Sequence, residues 1–122
     1  MSELRVLVVD DLPFMRQAIR DALQGTPFRI VAEAENGEQA IACYRAKRPD
    51  VVLLDIVMPV LDGLTTLQRL RRLDPMSNVI MCSALGEQAM IVRAIQLGAR
   101  DFIVKPFRSE RVVSALERVA AV

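Results

Sequence analysis

The chain has 122 residues, 52% of them hydrophobic, and its 16 Lys and Arg against 15 Asp and Glu give a net charge of +1. This length predicts one domain over residues 1–122, and the balanced charge gives no overall field to attract nucleic acid or an acidic membrane. Because no apolar run is long enough to span a bilayer and no signal-peptide pattern opens the chain, we expect a cytoplasmic protein without membrane insertion.

Short runs rich in Val and Ile alternate with stretches of helical period, which is the pattern of repeated βαβ units. Strands are predicted near residues 4–9, 29–34, 51–55, 78–83 and 101–105. The first, third and fourth runs are apolar throughout, as strands buried on both faces are, whereas charged residues at the second and fifth indicate edge strands. The predicted fold is α/β and flavodoxin-like, a (βα)5 doubly wound parallel sheet with strand order 2-1-3-4-5.

One amphipathic helix is predicted after each strand. Asp11 is a plausible N-cap of the first helix, with Pro13 in its first turn, Asn36 precedes the second, and Gly98 closes the fourth. The two cysteines are expected to be reduced, small hydrophobic residues. The residues predicted to face inward are Met15, Ile19, Ala22 and Leu23, then Ala40, Ile41 and Tyr44, then Leu64, Leu67 and Leu70, then Met90, Ala94 and Leu97, and finally Val112, Leu116 and Val119.

Four predicted strands end on polar residues that a parallel sheet brings to one edge. Asp10 and Asp11 follow the first strand, Asp55 the third, Ser83 the fourth and Lys105 the fifth. The first and third strands meet at the switch point of the predicted order, where ligands bind, so the aspartates should converge there. Crowded carboxylates repel by about 4 kcal/mol per pair at ~4 Å and an effective dielectric of ~20, so the cluster should either protonate or bind a cation. A hard divalent ion would suit this cluster of carboxylates.

Most of these residues also have an ordinary structural explanation. Asp11 could serve only as a helix cap, Asp55 could be a loop carboxylate where a strand meets water, and Ser83 could cap the next helix. Lys105 is harder to explain in this way, because the chain contains only one other lysine and its remaining basic residues are arginines. A compact ammonium suits a phosphate or carboxylate oxygen, where arginine would require a planar partner.

Taken together, these motifs resemble the signature of response-regulator receiver domains over essentially the whole chain. Two further tracts, 82–90 and 98–107, resemble the stand-alone chemotaxis regulators of that family. The motifs that carry the resemblance are Asp10-Asp11, the stretch Asp55-Ile-Val-Met58-Pro59 with Asp62-Gly63, Ser83-Ala84, and Lys105-Pro106-Phe107.

The resemblance implies that Asp55 accepts a phosphoryl group from a phosphohistidine of a partner histidine kinase. Mg²⁺, or Mn²⁺ in its place, would bind Asp11, Asp55 and the backbone carbonyl of Val57, with Asp10 acting through a water. Lys105 and the Ser83 hydroxyl would contact phosphoryl oxygens. The chain contains no histidine, so the donor must be another protein or a small phosphodonor.

The resemblance also implies a switch. Movement of Ser83 toward the phosphoryl group would let Phe102 turn inward and reshape the surface of the fourth helix, fifth strand and fifth helix, near Ile91, Ile95 and Phe107. The expected partners are a flagellar motor switch protein or another output protein, with a phosphatase as a further candidate.

The resemblance to receiver domains also gives expectations for activity and assembly. We expect a monomer that is not an enzyme beyond its own Mg-dependent phosphorylation and slow dephosphorylation, slow because Val57 and Leu85 are apolar where the family tunes water access. Arg108, Arg111 and Arg118 are expected to form a solvated face or a partner patch, with no direct nucleic-acid contact, because no aromatic residues interleave with them.

Three other classes of protein are alternatives to a receiver domain. A haloacid-dehalogenase-like phosphatase would need its nucleophile after the first strand with a second aspartate two residues on, which Asp10-Asp11-Leu12-Pro13 does not provide. A flavodoxin-type carrier would need a Ser/Thr/Gly phosphate loop there. The alternative that stays open is a receiver module of a transcriptional or other multidomain response regulator.

Overall fold

The structure, a computed structural model, describes residues 3–84 and 86–121 as alternating strands and helices. Among the helices of these residues, none has the length and apolar character needed to cross a membrane. The strands are β1 (Leu4–Val9), β2 (Phe28–Ala34), β3 (Val51–Leu54), β4 (Val79–Ser83) and β5 (Asp101–Val104). The helices are α1 (Pro13–Ala22), α2 (Gly37–Lys47), α3 (Gly63–Leu73), α4 (Gln88–Gln96) and α5 (Ser109–Ala120).

All five strands are parallel and form one sheet in the order β2-β1-β3-β4-β5. The predicted strand order and flavodoxin-like fold are therefore confirmed, with β2 and β5 at the edges. Val9, at the end of β1, pairs with Leu54, at the end of β3. This register puts the residues that follow the two strands side by side at the carboxyl edge.

Alternate side chains of the strands build two hydrophobic cores, one on each face of the sheet. Leu7, Leu54 and Met81 face the layer formed by α2, α3 and α4, and Leu53, Ile80 and Ile103 face the layer formed by α1 and α5. Because β3 and β4 are covered on both faces, their residues are buried without interruption, as the apolar runs predicted. Cys43 and Cys82 are free thiols, also as predicted.

The starts of three helices test the predicted caps. Asn36 precedes α2 and its side chain accepts a hydrogen bond from the Gln39 N–H at 2.9 Å, which confirms the prediction. The prediction for α1 was wrong: the helix begins one residue later, its N-cap position is Leu12 and not Asp11, and none of the side chains that the structure describes caps it. The Leu12 N–H instead donates to the Asp10 carboxylate at 3.0 Å. Helix α4 begins after Glu87, four residues beyond Ser83, so Ser83 does not cap it either.

Tyr44 links α2 to the end of α3 and gives a test of this layer. Its buried hydroxyl donates to Asp74 Oδ2 at 2.8 Å. Burial and this hydrogen bond raise the pKa of Tyr44 to about 12, and the same bond lowers the pKa of Asp74.

We expect Tyr44→Phe to lower the free energy of unfolding by about 1 kcal/mol at neutral pH, because Asp74 loses a donor. A carboxyl with a lowered folded pKa stabilises the fold above its unfolded pKa of about 3.9, and that contribution disappears as pH falls through the folded pKa. Urea unfolding at neutral and strongly acidic pH should therefore show a difference between the proteins that shrinks in acid. A loss that is the same at both pH values would contradict this account.

Candidate functional site

Three carboxylates meet at the carboxyl edge of the sheet, above β1 and β3. Asp10 and Asp55 are buried, with 2% and 6% of their surfaces exposed, and Asp11 is half-buried. One carboxylate oxygen from each of the three lies within 4.8 Å of the others. The structure thus brings together the three aspartates that the strand ends predicted, and we call this cluster with Lys105 the acidic pocket.

Lys105 brings a positive charge into the acidic pocket from the other end of the chain. Its Nζ donates to Asp10 Oδ2 at 2.5 Å and to Asp55 Oδ2 at 3.3 Å. The Lys105 backbone N–H is bonded to the Ser83 carbonyl at 2.9 Å, and the peptide bond to Pro106 is cis. The hydrogen bond between them places Lys105 and the buried Ser83 at the same edge as the aspartates, where the sequence predicted them.

Backbone contacts fix the position of Asp55. Its N–H donates to the Val9 carbonyl at 3.0 Å, and its Oδ1 accepts the Ile56 N–H at 2.7 Å. Gly63, the first residue of α3, donates its N–H to the Ile56 carbonyl at 2.7 Å. A Cβ on Gly63 would lie 1.9 Å from the Asp55 carbonyl oxygen, so α3 can begin here only on a glycine. One oxygen of the Asp55 side chain is thereby anchored to the backbone, and the other faces Lys105.

Burial and neighbouring charges determine how the acidic pocket ionises. Desolvation raises the pKa of Asp55, and the nearby Asp10 charge raises it further against the opposing effect of Lys105. Desolvation alone would lower the pKa of Lys105, but its hydrogen bond to Asp10 and the charges of both aspartates outweigh this, so the pKa is raised. Lys105 therefore stays an ammonium at neutral pH, whereas a charged Asp55 is costly unless further positive charge reaches it.

The donor atoms of the acidic pocket fit a small, hard divalent ion. Mg²⁺ takes oxygen ligands at about 2.1 Å in octahedral geometry, so two of its ligands lie at most about 4.2 Å apart. The carboxylate oxygens fall within 4.8 Å of one another, slightly wider than that limit. Two carboxylates bound directly and Asp10 bound through a water would match this spacing, and carboxylate oxygens suit Mg²⁺ or Mn²⁺.

Arg16 of α1 holds Asp10 in position through the Asp10 backbone carbonyl. Its Nη1 donates to the Asp10 carbonyl at 2.7 Å and its Nε to Glu33 Oε1 of β2 at 3.2 Å, with 13% of the side chain exposed. Arg20 binds the same Glu33 carboxylate, but its hydrogen bonds do not reach Asp10 and 41% of its side chain is exposed. Arg16 is therefore a positioning residue for the acidic pocket, and Arg20 is its natural control.

We expect Arg16→Met to weaken Mg²⁺ binding by about tenfold, because supports behind metal ligands typically contribute that much to affinity. Arg20→Met removes a contact to the same glutamate and should leave the affinity within about twofold of the parent protein. Calorimetric titration with Mg²⁺ measures both. Equal weakening in the two variants would show that Arg16 acts through Glu33 and not through Asp10.

The residues predicted for the switch and the partner surface lie around β5. Phe102 is buried, with 7% of its surface exposed, and packs in the core beneath α4, so it occupies an inward position in this structure. Ile91 and Phe107 are half-buried and Ile95 is exposed. Val57 is exposed in the loop after β3, and Leu85 lies outside the described residues. The roles of all these residues stay predictions.

Two contributors to the site were missed by sequence reasoning. Gly63 belongs to the Asp62-Gly63 motif, but the motif by itself does not reveal that Gly63 packs against the Asp55 carbonyl. The side chain of Arg16 in α1 joins Asp10, which follows β1, to Glu33 of β2, and helical periodicity alone carries no signal for such a contact. The motif spacing around Asp62-Gly63 could have indicated the first contact, and nothing in the sequence indicated the second.

The fold and the acidic pocket define a receiver-type signalling domain, and comparison with known proteins agrees. A sequence profile described as "Response regulator receiver domain" matches residues 6–117, and the chain belongs to this family. It is 50% identical over 114 residues to the chemotaxis protein CheY of Bacillus subtilis, covering 93% of this chain and 95% of that protein.

Solved structures show the same similarity. A chain of the CheX-CheY-BeF3-Mg complex from Borrelia burgdorferi is 34% identical with a TM-score of 0.92, covering 96% of this chain and 89% of that chain. The receiver domain of the response regulator NarL from Mycobacterium tuberculosis is 33% identical with a TM-score of 0.91, covering 99% and 98%. The chain is therefore similar to a chemotaxis regulator and to a receiver domain of another response regulator.

Proposed function

We propose that this chain is a single receiver domain that works as a phosphorylation-activated switch of a two-component system, with Asp55 as the phosphoryl acceptor. The observation that carries the proposal is the Lys105 ammonium bonded to both Asp10 and Asp55 at the carboxyl edge. A buried carboxylate with a cation beside it and two further carboxylates close by suits transfer of a highly charged group. The donor is a phosphohistidine of a histidine kinase.

The transfer makes one bond and breaks one. A carboxylate oxygen of Asp55 attacks phosphorus, an O–P bond forms, and the P–N bond of the donor breaks with its electron pair left on the imidazole. Charge spreads over the three equatorial oxygens in a loose transition state, so positioning and neutralisation provide most of the catalysis.

Each residue of the site has a proposed part in that neutralisation. Lys105 pairs with one phosphoryl oxygen, and the Ser83 hydroxyl donates to another. Asp11, Asp55 and the Val57 carbonyl would hold Mg²⁺, and Asp10 would act through a water. When bound, the ion neutralises charge on the acceptor and on the phosphoryl oxygens. Lys105 leaves its aspartate partners as the phosphoryl group arrives, which couples modification to movement at the end of β5.

The proposed output is chemotaxis, through binding of a flagellar motor switch protein. Two similarities support this: the 50% identity to a chemotaxis protein, and the likeness to a chain of a CheX-CheY complex. Changing the ratio of active to inactive protein from 1:99 to 99:1 takes about 5.5 kcal/mol of differential interaction. The phosphoryl contacts and the binding of the partner would therefore both contribute to this free energy.

The likeness to the NarL receiver domain keeps a transcriptional regulator as the second candidate. Binding assays with and without BeF3 and Mg²⁺ separate the two. A motor switch peptide retained only by the activated protein supports chemotaxis, and activation-dependent binding to an output domain alone supports the second candidate.

Phosphoryl acceptance itself is tested by incubating the chain with acetyl phosphate and Mg²⁺ and measuring the intact mass. We expect a gain of one phosphoryl group that hydroxylamine removes, as it does from an acyl phosphate. EDTA should reduce the labelling at least about a hundredfold, because metal ions contribute several kcal/mol of charge stabilisation. Labelling that resists hydroxylamine or is unaffected by EDTA would overturn the proposal.

A further inference from the structure

A groove between α2 and α3 carries side chains that phosphoryl transfer does not use. The α2–α3 groove encloses about 550 Å³ and is lined on its apolar part by half-buried Ile41 of α2 and Leu73 of α3. Three arginines stand around it, Arg45 from α2 and Arg69 and Arg72 from α3. None of the lining residues belongs to the acidic pocket or to α4, β5 or α5.

The protein itself neutralises these arginines poorly. Glu38 also lines the groove, but its Oε1 lies 3.9 Å from Arg69 Nη1 and both side chains are more than half exposed. Within residues 3–84 and 86–121, Arg45 and Arg72 form no hydrogen bond or ion pair. A loose exposed ion pair contributes little, so the groove has a local excess of positive charge in a chain whose net charge is only +1.

We propose that the α2–α3 groove binds an acidic amphipathic segment of a partner protein. An aliphatic side chain of that segment would pack against Ile41 and Leu73, and its carboxylates would meet the arginines around the rim. Guanidinium groups are suited to carboxylates because their planar donors match both oxygens. Recognition of an amphipathic helix by its spaced apolar anchors in a groove is a common mode of peptide binding.

Two other kinds of occupant fit the groove less well. Single-stranded nucleic acid is usually held by aromatic side chains that stack on bases, and the lining contains none. A membrane surface requires protruding apolar side chains, whereas Ile41 and Leu73 are half-buried.

Arginines near the end of a helix can also serve only to complement the helix dipole. Arg72 lies in the last turn of α3, and Arg93 occupies the last turn of α4 outside the groove. Both side chains are exposed. Arg93 is therefore a matched control for any effect that comes only from charge at a helix end.

The test uses the full chain and a synthetic helical peptide with two leucines one turn apart and glutamates flanking them on the same face. Its binding is followed by NMR titration of the labelled protein, and we expect saturable shifts centred on Ile41, Arg45 and Leu73. Arg72→Glu should weaken binding by at least about tenfold, and Arg93→Glu should change it by less than about twofold. Peptides with Ser for Leu or Lys for Glu should both bind more weakly by similar factors.

The proposal is overturned if Arg72→Glu and Arg93→Glu bind the peptide alike, or if the Ser or Lys peptide binds as well as the original. It is also overturned if oligouridine or phosphatidylserine vesicles shift the groove residues and the peptide does not. Circular dichroism confirms that the variants are folded. If Arg72→Glu is not, Arg45→Glu takes its place, with the same expected loss of binding.

Discussion

Asp55→Asn is expected to abolish acyl-phosphate formation with acetyl phosphate and Mg²⁺ and to leave the fold intact. The asparagine has the same shape, and its carbonyl oxygen can still accept the Ile56 N–H. Its amide cannot form the acyl phosphate. Intact-mass measurement after the reaction should find no phosphoryl adduct in the variant, a loss of at least about a thousandfold in rate.

The same substitution should have opposite effects on stability with and without metal. Burial and the Asp10 charge raise the pKa of Asp55, so the ionised carboxylate is destabilising at neutral pH, and its replacement in EDTA should raise the free energy of unfolding. With Mg²⁺ at about 100 times its dissociation constant, the parent protein gains about 2.7 kcal/mol from binding, and a variant that has lost a ligand gains far less. Urea unfolding under the two conditions should therefore reverse the order of the two proteins.

A carboxylate that is exposed and outside the pocket provides the control. Asp21 on α1 is exposed, and Asp21→Asn should be labelled at the parental rate with a similar response to Mg²⁺. Labelling of Asp55→Asn at the parental rate would show that another residue is the acceptor. If Asp55→Asn were instead the less stable protein in EDTA, attraction to Lys105 would outweigh the cost of burying the charge.

The strand order was predictable from the apolar character of the strands, and the convergence of the aspartates was predictable from residue type at the strand ends. Apolar runs identify central strands, parallel crossovers leave few arrangements, and the register of Val9 with Leu54 follows from the shared edge. Once the strand order is known, the convergence of Asp10, Asp55 and Lys105 follows from their positions at the strand ends. The location of the acidic pocket is therefore determined by the topology of the sheet.

Contacts that depend on single atoms were not predictable in the same way. Asp10 and Asp11 are adjacent acidic residues, and only the path of the backbone determines that the Asp10 carboxylate takes the Leu12 N–H. The link from Arg16 to Asp10 and Glu33 joins three elements through one long side chain. Periodicity assigns a residue to a face of its helix, but it does not determine which backbone oxygen a flexible guanidinium reaches.

Gly63→Ala is expected to lower the free energy of unfolding by about 3 kcal/mol and to slow phosphorylation of Asp55 together with it. The added Cβ would lie 1.9 Å from the Asp55 carbonyl oxygen and 2.6 Å from the Ile56 Cα. Both are backbone atoms, so no side chain can turn aside to relieve the clash. Either the start of α3 or the segment that carries the acceptor must move.

Gly25→Ala distinguishes this clash from the ordinary cost of replacing a glycine. Gly25 has a φ of +76°, and a Cβ there would meet no atom within 4 Å, so the variant has only the cost of a left-handed backbone, about 1 kcal/mol. Gly25 is exposed in the turn before β2, and its replacement should leave the labelling rate at the parental value. Urea unfolding and acetyl phosphate labelling of the two variants give the comparison. If Gly63→Ala were no less stable than Gly25→Ala and were labelled as fast, close packing of α3 on the Asp55 backbone would not be what holds the acceptor in place.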